Sequence, residues 1–276
     1  MSDLVLKVEM LKEPELCFGY DQTTAFAKDG LLWFGPIDDA QKPSVMRIGV
    51  VGSPKGIHFY QVWVKQINLP IEAGKDAAHH MPFPGFEAVF STQWPEKPVC
   101  ALTISEKTIL DTIRIKDRHQ AVYNTVSLFE NEIRRYINEE DSGVDLWFVI
   151  VPEEVYKYGR PQSRVPGSIA EDAPAKMNAK LAKKLDSEPS LFEEDNEIAK
   201  LYHYELNFHN QLKARLLDTK AVVQVIRETT LAPEAFVVNG RETRQLQDKA
   251  SVAWNLCTTA YFKASGRPWR LANVRP

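Results

Sequence analysis

The chain has 276 residues, 44% of them hydrophobic and 26% charged, with a formal net charge of −3. Those values describe an ordinary globular chain with a sizeable core; they exclude a disordered or fibrous chain and a uniformly basic polyanion binder. Three cysteines, Cys17, Cys100 and Cys257, are far apart and odd in number, which excludes a disulfide framework and a cysteine-based metal site and suits buried small hydrophobes in a reducing compartment.

The first residues, Met1-Ser2-Asp3-Leu4-Val5-Leu6-Lys7, lack the basic and long apolar regions of a signal peptide. No apolar run approaches the ~18 residues of a membrane span. A cytoplasmic protein is expected. Leu4 to Met10 reads as a short strand, and Gly30-Leu31-Leu32-Trp33-Phe34-Gly35-Pro36 as a compact apolar turn that packs an N-terminal arm onto the main body.

Met46 to Ser53 reads as a buried strand running into a glycine turn, and Ile57 to Ile67 carries apolar residues at helical spacing. Strand, glycine turn and helix is how an α/β nucleotide fold often begins. However, Gly52-Ser53-Pro54-Lys55-Gly56 matches neither a dinucleotide fingerprint nor a P-loop. His79-His80, an adjacent pair in a loop, read as solvated. Met81 to Phe86 reads as a rigid loop before a strand, Glu87-Ala88-Val89-Phe90. Cys100 to Ile104 reads as a further strand and Asp117 to Asn138 as a helix.

Val144 to Val151 is the strongest strand. Its near-continuous apolar character suits a central parallel strand covered on both faces. Ligands of open parallel sheets sit beyond the carboxyl ends of strands, so Pro152 to Pro161 is where a site would be. Residues 162–198, rich in Pro, Ser, Ala, Lys and acids, read as a surface insertion. Leu201 to Leu217 is expected as one helix, Ala221 to Ile226 as a strand, and Gln245 to Phe262 as a long helix.

Charge is unevenly spread. From His209 to Pro276 there are eleven Lys/Arg against five Asp/Glu, a net +6, leaving −9 on the preceding 208 residues. A localised phosphate or nucleic-acid site would give this asymmetry, as would a solvated basic face. His209 and Lys213 are four apart on a helix, Gln224 lies in the following strand, and Lys263 ends the last helix before Gly266-Arg267-Pro268-Trp269. These side chains can donate hydrogen bonds and none is acidic. Spacing alone allows an anion site or a solvated helix face.

The order His209, Lys213, Gln224, Lys263 and Ala264-Ser265-Gly266-Arg267-Pro268-Trp269 resembles the signature of the Argonaute MID domain. The resemblance is closer still to short prokaryotic Argonautes that work with a TIR-APAZ partner. It extends over Gly30 to Pro36, Phe83 to Phe90, Asp145 to Tyr158 and Phe208 to Leu217. It implies an α/β, Rossmann-like MID domain with a parallel central sheet over residues 45–264, an N-terminal arm over 1–44, and the start of a PIWI domain at 265–276 that does not continue. It implies that His209, Lys213, Gln224 and Lys263 bind the 5′ phosphate of a guide strand, RNA or DNA. Tyr156, Tyr158 and Arg160 would lie beside the first guide base. As in some relatives, Mg2+ could accompany the phosphate. The implied partners are target single-stranded DNA, through PIWI, and a TIR-APAZ protein or alternatively a sirtuin-like-APAZ protein, in a defence system that consumes NAD. The chain itself would bind and not hydrolyse. Ser265 departs from the family's Gly-Gly pair, and Ala221-Val222-Val223 from its usual residues before the Gln. Trp254, Tyr261 and Trp269 are expected to be covered by PIWI and exposed without it. Two other readings compete: a small-molecule or nucleotide enzyme on a Rossmann-like sheet, and a docking scaffold that binds no guide.

Overall fold

Strands made almost entirely of branched and aromatic apolar residues must be covered on both faces, and that requirement organises the chain. The computed structural model describes residues 13–37, 42–74, 80–140, 143–166, 177–238, 248–272 and the backbone of 241–242. In chain order the elements are β1 (Leu16–Cys17), β2 (Thr23–Thr24), α1 (Ala27–Phe34), β3 (Ile48–Gly52), α2 (Pro54–Ile67), α3 (Phe86–Phe90), β4 (Cys100–Thr103), α4 (Glu106–Ile113), α5 (Arg118–Glu139), β5 (Leu146–Val151), α6 (Glu153–Tyr158), α7 (Ala179–Ser187), α8 (Glu193–Leu201), α9 (Phe208–Arg215), β6 (Val223–Arg227), α10 (Glu228–Leu231), β7 (Val237–Val238), β8 (Arg241–Glu242), α11 (Lys249–Lys263) and β9 (Arg270–Leu271).

The central sheet has four parallel strands in the order β4-β3-β5-β6. Helices cover both faces, which makes this a Rossmann-like α/β fold. Side chains alternate between the faces with the strand period of two. Leu146, Phe148 and Ile150 enter the core under α2 and α11. Trp147, Val149 and Val151 enter the one under α5 and α9. Gly49 is required in β3 because a Cβ there would lie 2.7 Å from the Trp147 ring.

Helix α11 is buried on most sides. Trp254 packs edge-on against Phe83 at 5.2 Å and donates its indole N–H to the Pro82 carbonyl at 3.1 Å. Tyr261 stacks on Phe90 at 4.7 Å. The expected exposure of these aromatics is therefore corrected: Trp254 and Tyr261 are 1% and 0% accessible. Trp269 is half-buried against the same core and faces Phe18.

The N-terminal arm joins this core. Phe18 and Leu31 are buried in it, and β1 pairs antiparallel with both β2 and β9, tying residues 16–17 to 270–271. Several other expectations change. Residues 30–34 belong to helix α1, not a turn, and residues 86–90 form helix α3, not a strand. Gly85, at φ +111°, supplies the backbone angle before α3. The helix expected over 201–217 is broken. Helix α8 ends at Leu201, and α9 starts afresh at Phe208 behind Asn207, whose side chain accepts from the Asn210 N–H. The surface insertion contains the helices α7 and α8; its residues 167–176 lie outside the described residues, as do Leu4 to Met10, His79 and Gln245 to Gln247. Among the described residues no helix is long and apolar enough to cross a membrane.

Ser265 adopts φ +70° immediately after α11. This is the left-handed conformation that glycine tolerates and other residues resist. The departure from a Gly-Gly pair therefore carries strain. Ser265→Gly should stabilise the chain by about 0.5–1 kcal/mol in urea unfolding, and a loss of stability would contradict this account.

Candidate anion-binding groove

At the carboxyl ends of β3 and β6, where ligands of a parallel sheet usually sit, the protein's own carboxylate is already in place. Glu228 is buried and accepts the Ser53 hydroxyl at 2.7 Å. Ser53 caps α2 by accepting the Gly56 N–H at 2.9 Å. Burial raises the Glu228 pKa, against the Ser53 hydrogen bond and the Lys55 charge. The Gly52–Gly56 turn thus ends on an internal acid, consistent with its lack of a phosphate-binding motif.

The open space lies at the sheet's edge. A cavity of about 730 Å³ follows Gln224–Arg227 of β6, between α6, the N-terminal turn of α9 and the middle of α11. Its lining among the described residues includes His209, Asn210, Gln224, Tyr156, Arg160 and Arg227, and no Asp or Glu. The start of α9 contributes the partial positive charge of a helix N-terminus. Gly159 makes this arrangement possible. A Cβ there would lie 2.5 Å from the Val155 carbonyl and 2.9 Å from the Phe208 Cβ. The Phe208 N–H also donates to the Gly159 carbonyl at 2.9 Å. The end of α6 is thereby held against the start of α9.

Three elements bring the four expected phosphate ligands together. Helix α9 turns Phe208 and Leu212 into the core and leaves His209 half-exposed and Lys213 exposed. Strand β6 points Gln224 to the α11 side. Lys263, the last residue of α11, donates to the Val223 carbonyl at 2.8 Å and to Gln224 Oε1 at 2.7 Å. The first bond satisfies a carbonyl on an edge strand that no neighbouring strand can reach. The second fixes the amide, so Gln224 Nε2 remains its donating end and meets the Val225 carbonyl at 3.2 Å. Lys213 and Lys263 adjoin the cavity through His209 and Gln224.

The electrostatics are those of crowded cations. Burial, then repulsion from Lys213, pulls the Lys263 ammonium down to about 8. Burial, then Lys213 and Lys263, lowers the His209 pKa below its ordinary value. An arriving anion would reverse both shifts by favouring the charged forms. Magnesium prefers carboxylate and other hard oxygen ligands. Here the set is two ammonium groups, an imidazole and an amide oxygen already accepting from Lys263. These residues do not build a magnesium site.

The three residues expected beside a first base separate. Tyr156 and Arg160 line the cavity, whereas Tyr158 does not. Tyr158 packs on the core under α5, and its carbonyl accepts from Arg118 at 2.6 Å and Ser163 at 2.7 Å. Arg227, unassigned from sequence, lies on the wall with its guanidinium 3.7 Å from the Tyr156 ring centre. Its place at the carboxyl end of an edge strand was the available signal.

His80 is not the solvated side chain expected: Nδ1 lies 2.7 Å from Asp248 Oδ2, and the Ser251 hydroxyl lies 3.4 Å from the same nitrogen. Both neighbours meet one ring atom, so this is not the Ser-His-Asp relay, which uses the two ring nitrogens separately. Among the described residues no group of three or more His, Cys, Asp or Glu is arranged to hold a metal.

A scan against protein-family models finds no match to this chain, and a search of curated proteins finds none.

Proposed function

We propose that this chain is a nucleic-acid-binding module that anchors the 5′ phosphate of a guide strand, in the manner that its resemblance to the Argonaute MID domain implies. The observation that carries this proposal is the meeting of His209, Lys213, Gln224 and Lys263 from two helices and an edge strand, beside a groove with no carboxylate on its described wall. A terminal phosphate brings close to two negative charges and three strong acceptors. Lys213 and Lys263 supply charge, Gln224 an oriented amide N–H, and His209 a donor or a stacking ring. Tyr156 and Arg160 stand further along the same groove, where bases of the strand would follow.

Within this proposal the guide is RNA in the first instance and DNA in the second. The wider system is a cytoplasmic defence assembly with a TIR-APAZ-type partner that responds to invading single-stranded DNA. The chain's own part is binding. The competing enzyme reading has less support, because Glu228 occupies the crevice where a Rossmann-like enzyme would receive its ligand.

Nucleic acid that copurifies with the chain tests the proposal. Strands held by a 5′-phosphate anchor should accept a kinase label only after phosphatase treatment. Their yield should collapse in the Lys213→Ala/Lys263→Ala variant. Strands that label without phosphatase treatment, in amounts unaffected by the two substitutions, would overturn it.

A further inference from the structure

The turn between α7 and α8 holds two adjacent apolar side chains out in solvent. Leu191 is fully exposed and Phe192 is 73% accessible. The turn itself is tightly bonded. The Ser190 N–H donates to Asn196 Oδ1 at 2.8 Å, and Asn196 Nδ2 donates back to the Ser190 carbonyl at 3.0 Å. The Ser190 hydroxyl donates to Asp195 Oδ2 at 3.0 Å and accepts the Phe192 N–H at 3.1 Å. Four hydrogen bonds thus order a stretch whose largest side chains face water. Phe192 also occupies the N-cap of α8, where its side chain makes no capping bond. Ser, Thr, Asp or Asn would serve the helix better there, so helix stability does not account for a phenylalanine at this place.

The surroundings say what the pair suits. Residues 188–197 include five Asp or Glu and no Lys or Arg. Glu193 and Glu194, directly after Phe192, are exposed. The anion-binding groove is the complement. Val225, Val252 and Leu256 give it an apolar wall, Arg160, His209 and Arg227 give it cationic groups, and its described lining has no carboxylate. An apolar pair followed by carboxylates matches that surface in both polarity and charge. The excursion that carries the tip leaves the body at Gly159 and returns at Phe208, both on the groove wall. Tyr202 then ties α8 down, donating to Asp117 Oδ2 at 2.7 Å and stacking on His119 at 4.1 Å. With α8 held to its own body, the groove left for the tip is that of a second molecule. Since each chain carries both tip and groove, two copies can exchange them about a two-fold axis and close the assembly.

We propose that the Leu191–Phe192 tip docks in the anion-binding groove of a second copy, so that the free chain closes as a two-fold dimer with both grooves blocked, and that a bound strand opens it. The proposal rests on guide binding only for the strand as competitor; the contact itself rests on the tip and the groove.

The test is sedimentation velocity on the full chain, cleared of copurifying nucleic acid, with a short 5′-phosphorylated RNA oligonucleotide as the competing probe. The wild-type chain should form dimers at micromolar concentration, and the oligonucleotide should return it to monomers. Phe192→Ser should weaken the dimer by about ten- to a hundredfold, the worth of one large apolar side chain. The same substitution supplies a favoured N-cap and should raise the urea midpoint, which separates lost docking from lost folding. Lys213→Ala/Lys263→Ala should weaken the dimer as well. Leu191→Ser/Phe192→Ser should leave a monomer that binds the oligonucleotide at least as tightly as the wild type. A chain that stays monomeric, or a dimer indifferent to Phe192→Ser or to the oligonucleotide, would overturn the proposal. The result also separates this contact from the phosphate anchor. A monomeric chain that prefers a 5′ phosphate to a 5′ hydroxyl would refute the dimer alone. A tip-dependent dimer opened equally by both ends would refute the anchor and leave the docking standing.

Discussion

Replacing Lys263 with Ala is expected to weaken binding of a 5′-phosphorylated strand by about ten- to a hundredfold, the worth of one charge-assisted hydrogen bond. The loss should exceed that from Lys213→Ala. Lys263 both carries charge and fixes the Gln224 amide, through its bond to Gln224 Oε1 at 2.7 Å, whereas Lys213 is exposed. The same residue sets an alkaline limit. In the free protein the Lys263 ammonium is held at about 8. Below that pH it is already protonated, so binding needs no proton at this position. Above it, binding must take up a proton, and affinity should fall by up to tenfold per pH unit until the bound-state pKa is passed. His209, whose pKa is also depressed, adds a gentler slope of the same sign at lower pH. On the acid side the phosphate loses its second charge near its own pKa of about 6. Affinity should therefore be greatest between about pH 6 and pH 8 and decline on either side. Titrations at constant ionic strength check this. The alkaline decline should vanish in Lys263→Ala, and its persistence there would assign it to another group.

Arg215→Ala is expected to cost about 3 kcal/mol of stability, the lower end for breaking a buried ion pair. Arg215 and Glu130 form such a pair, with side chains 10% and 8% accessible. Arg215 also donates to the Ser127 hydroxyl at 2.9 Å and covers the Tyr123 ring at 4.1 Å. Arg134 remains to neutralise Glu130, which keeps the cost from being larger. Arg134 reaches the C-terminal end of α9 as well, through the Arg215 carbonyl and Asp218. This network and the Phe129–Phe208 contact at 5.4 Å fix α9 against α5. Since α9 carries His209 and Lys213, Arg215→Ala should also weaken strand binding without touching the strand. Urea unfolding and anisotropy on the same preparation separate the two effects. A variant as stable as wild type would contradict the role given to the pair.

The sheet was legible because its strands are short apolar runs and its long helices keep a 3.6-residue period. Val144 to Val151 and Asp117 to Asn138 needed nothing beyond pattern. Other stretches were settled by contacts between distant residues. Phe86 to Phe90 alternates too little to tell helix from strand, and burial of Phe86 and Phe90 decides for a helix. The continuous stripe from Leu201 to Leu217 concealed a break that the Asn207 cap imposes. His80 looked isolated because its acid, Asp248, lies 168 residues away in sequence.

The candidate site divides along the same line. His209 and Lys213 share a helix, so their spacing alone put them together. That Gln224 and Lys263 join them depends on the sheet order, which makes β6 an edge strand beside the end of α11. Arg227 was missed because a lone arginine after a strand has no pattern of its own. Its meaning comes from Tyr156 and Glu153, on an element more than sixty residues earlier.

The most direct measurement is the ratio of affinities for two oligonucleotides that differ only at their end, one with a 5′ phosphate and one with a 5′ hydroxyl. The wild-type chain should favour the phosphate by about a hundredfold or more, from several charge-assisted hydrogen bonds acting together. Lys213→Ala/Lys263→Ala should bring the ratio close to one. Equal wild-type affinity for the two ends would contradict the anchoring role of His209, Lys213, Gln224 and Lys263.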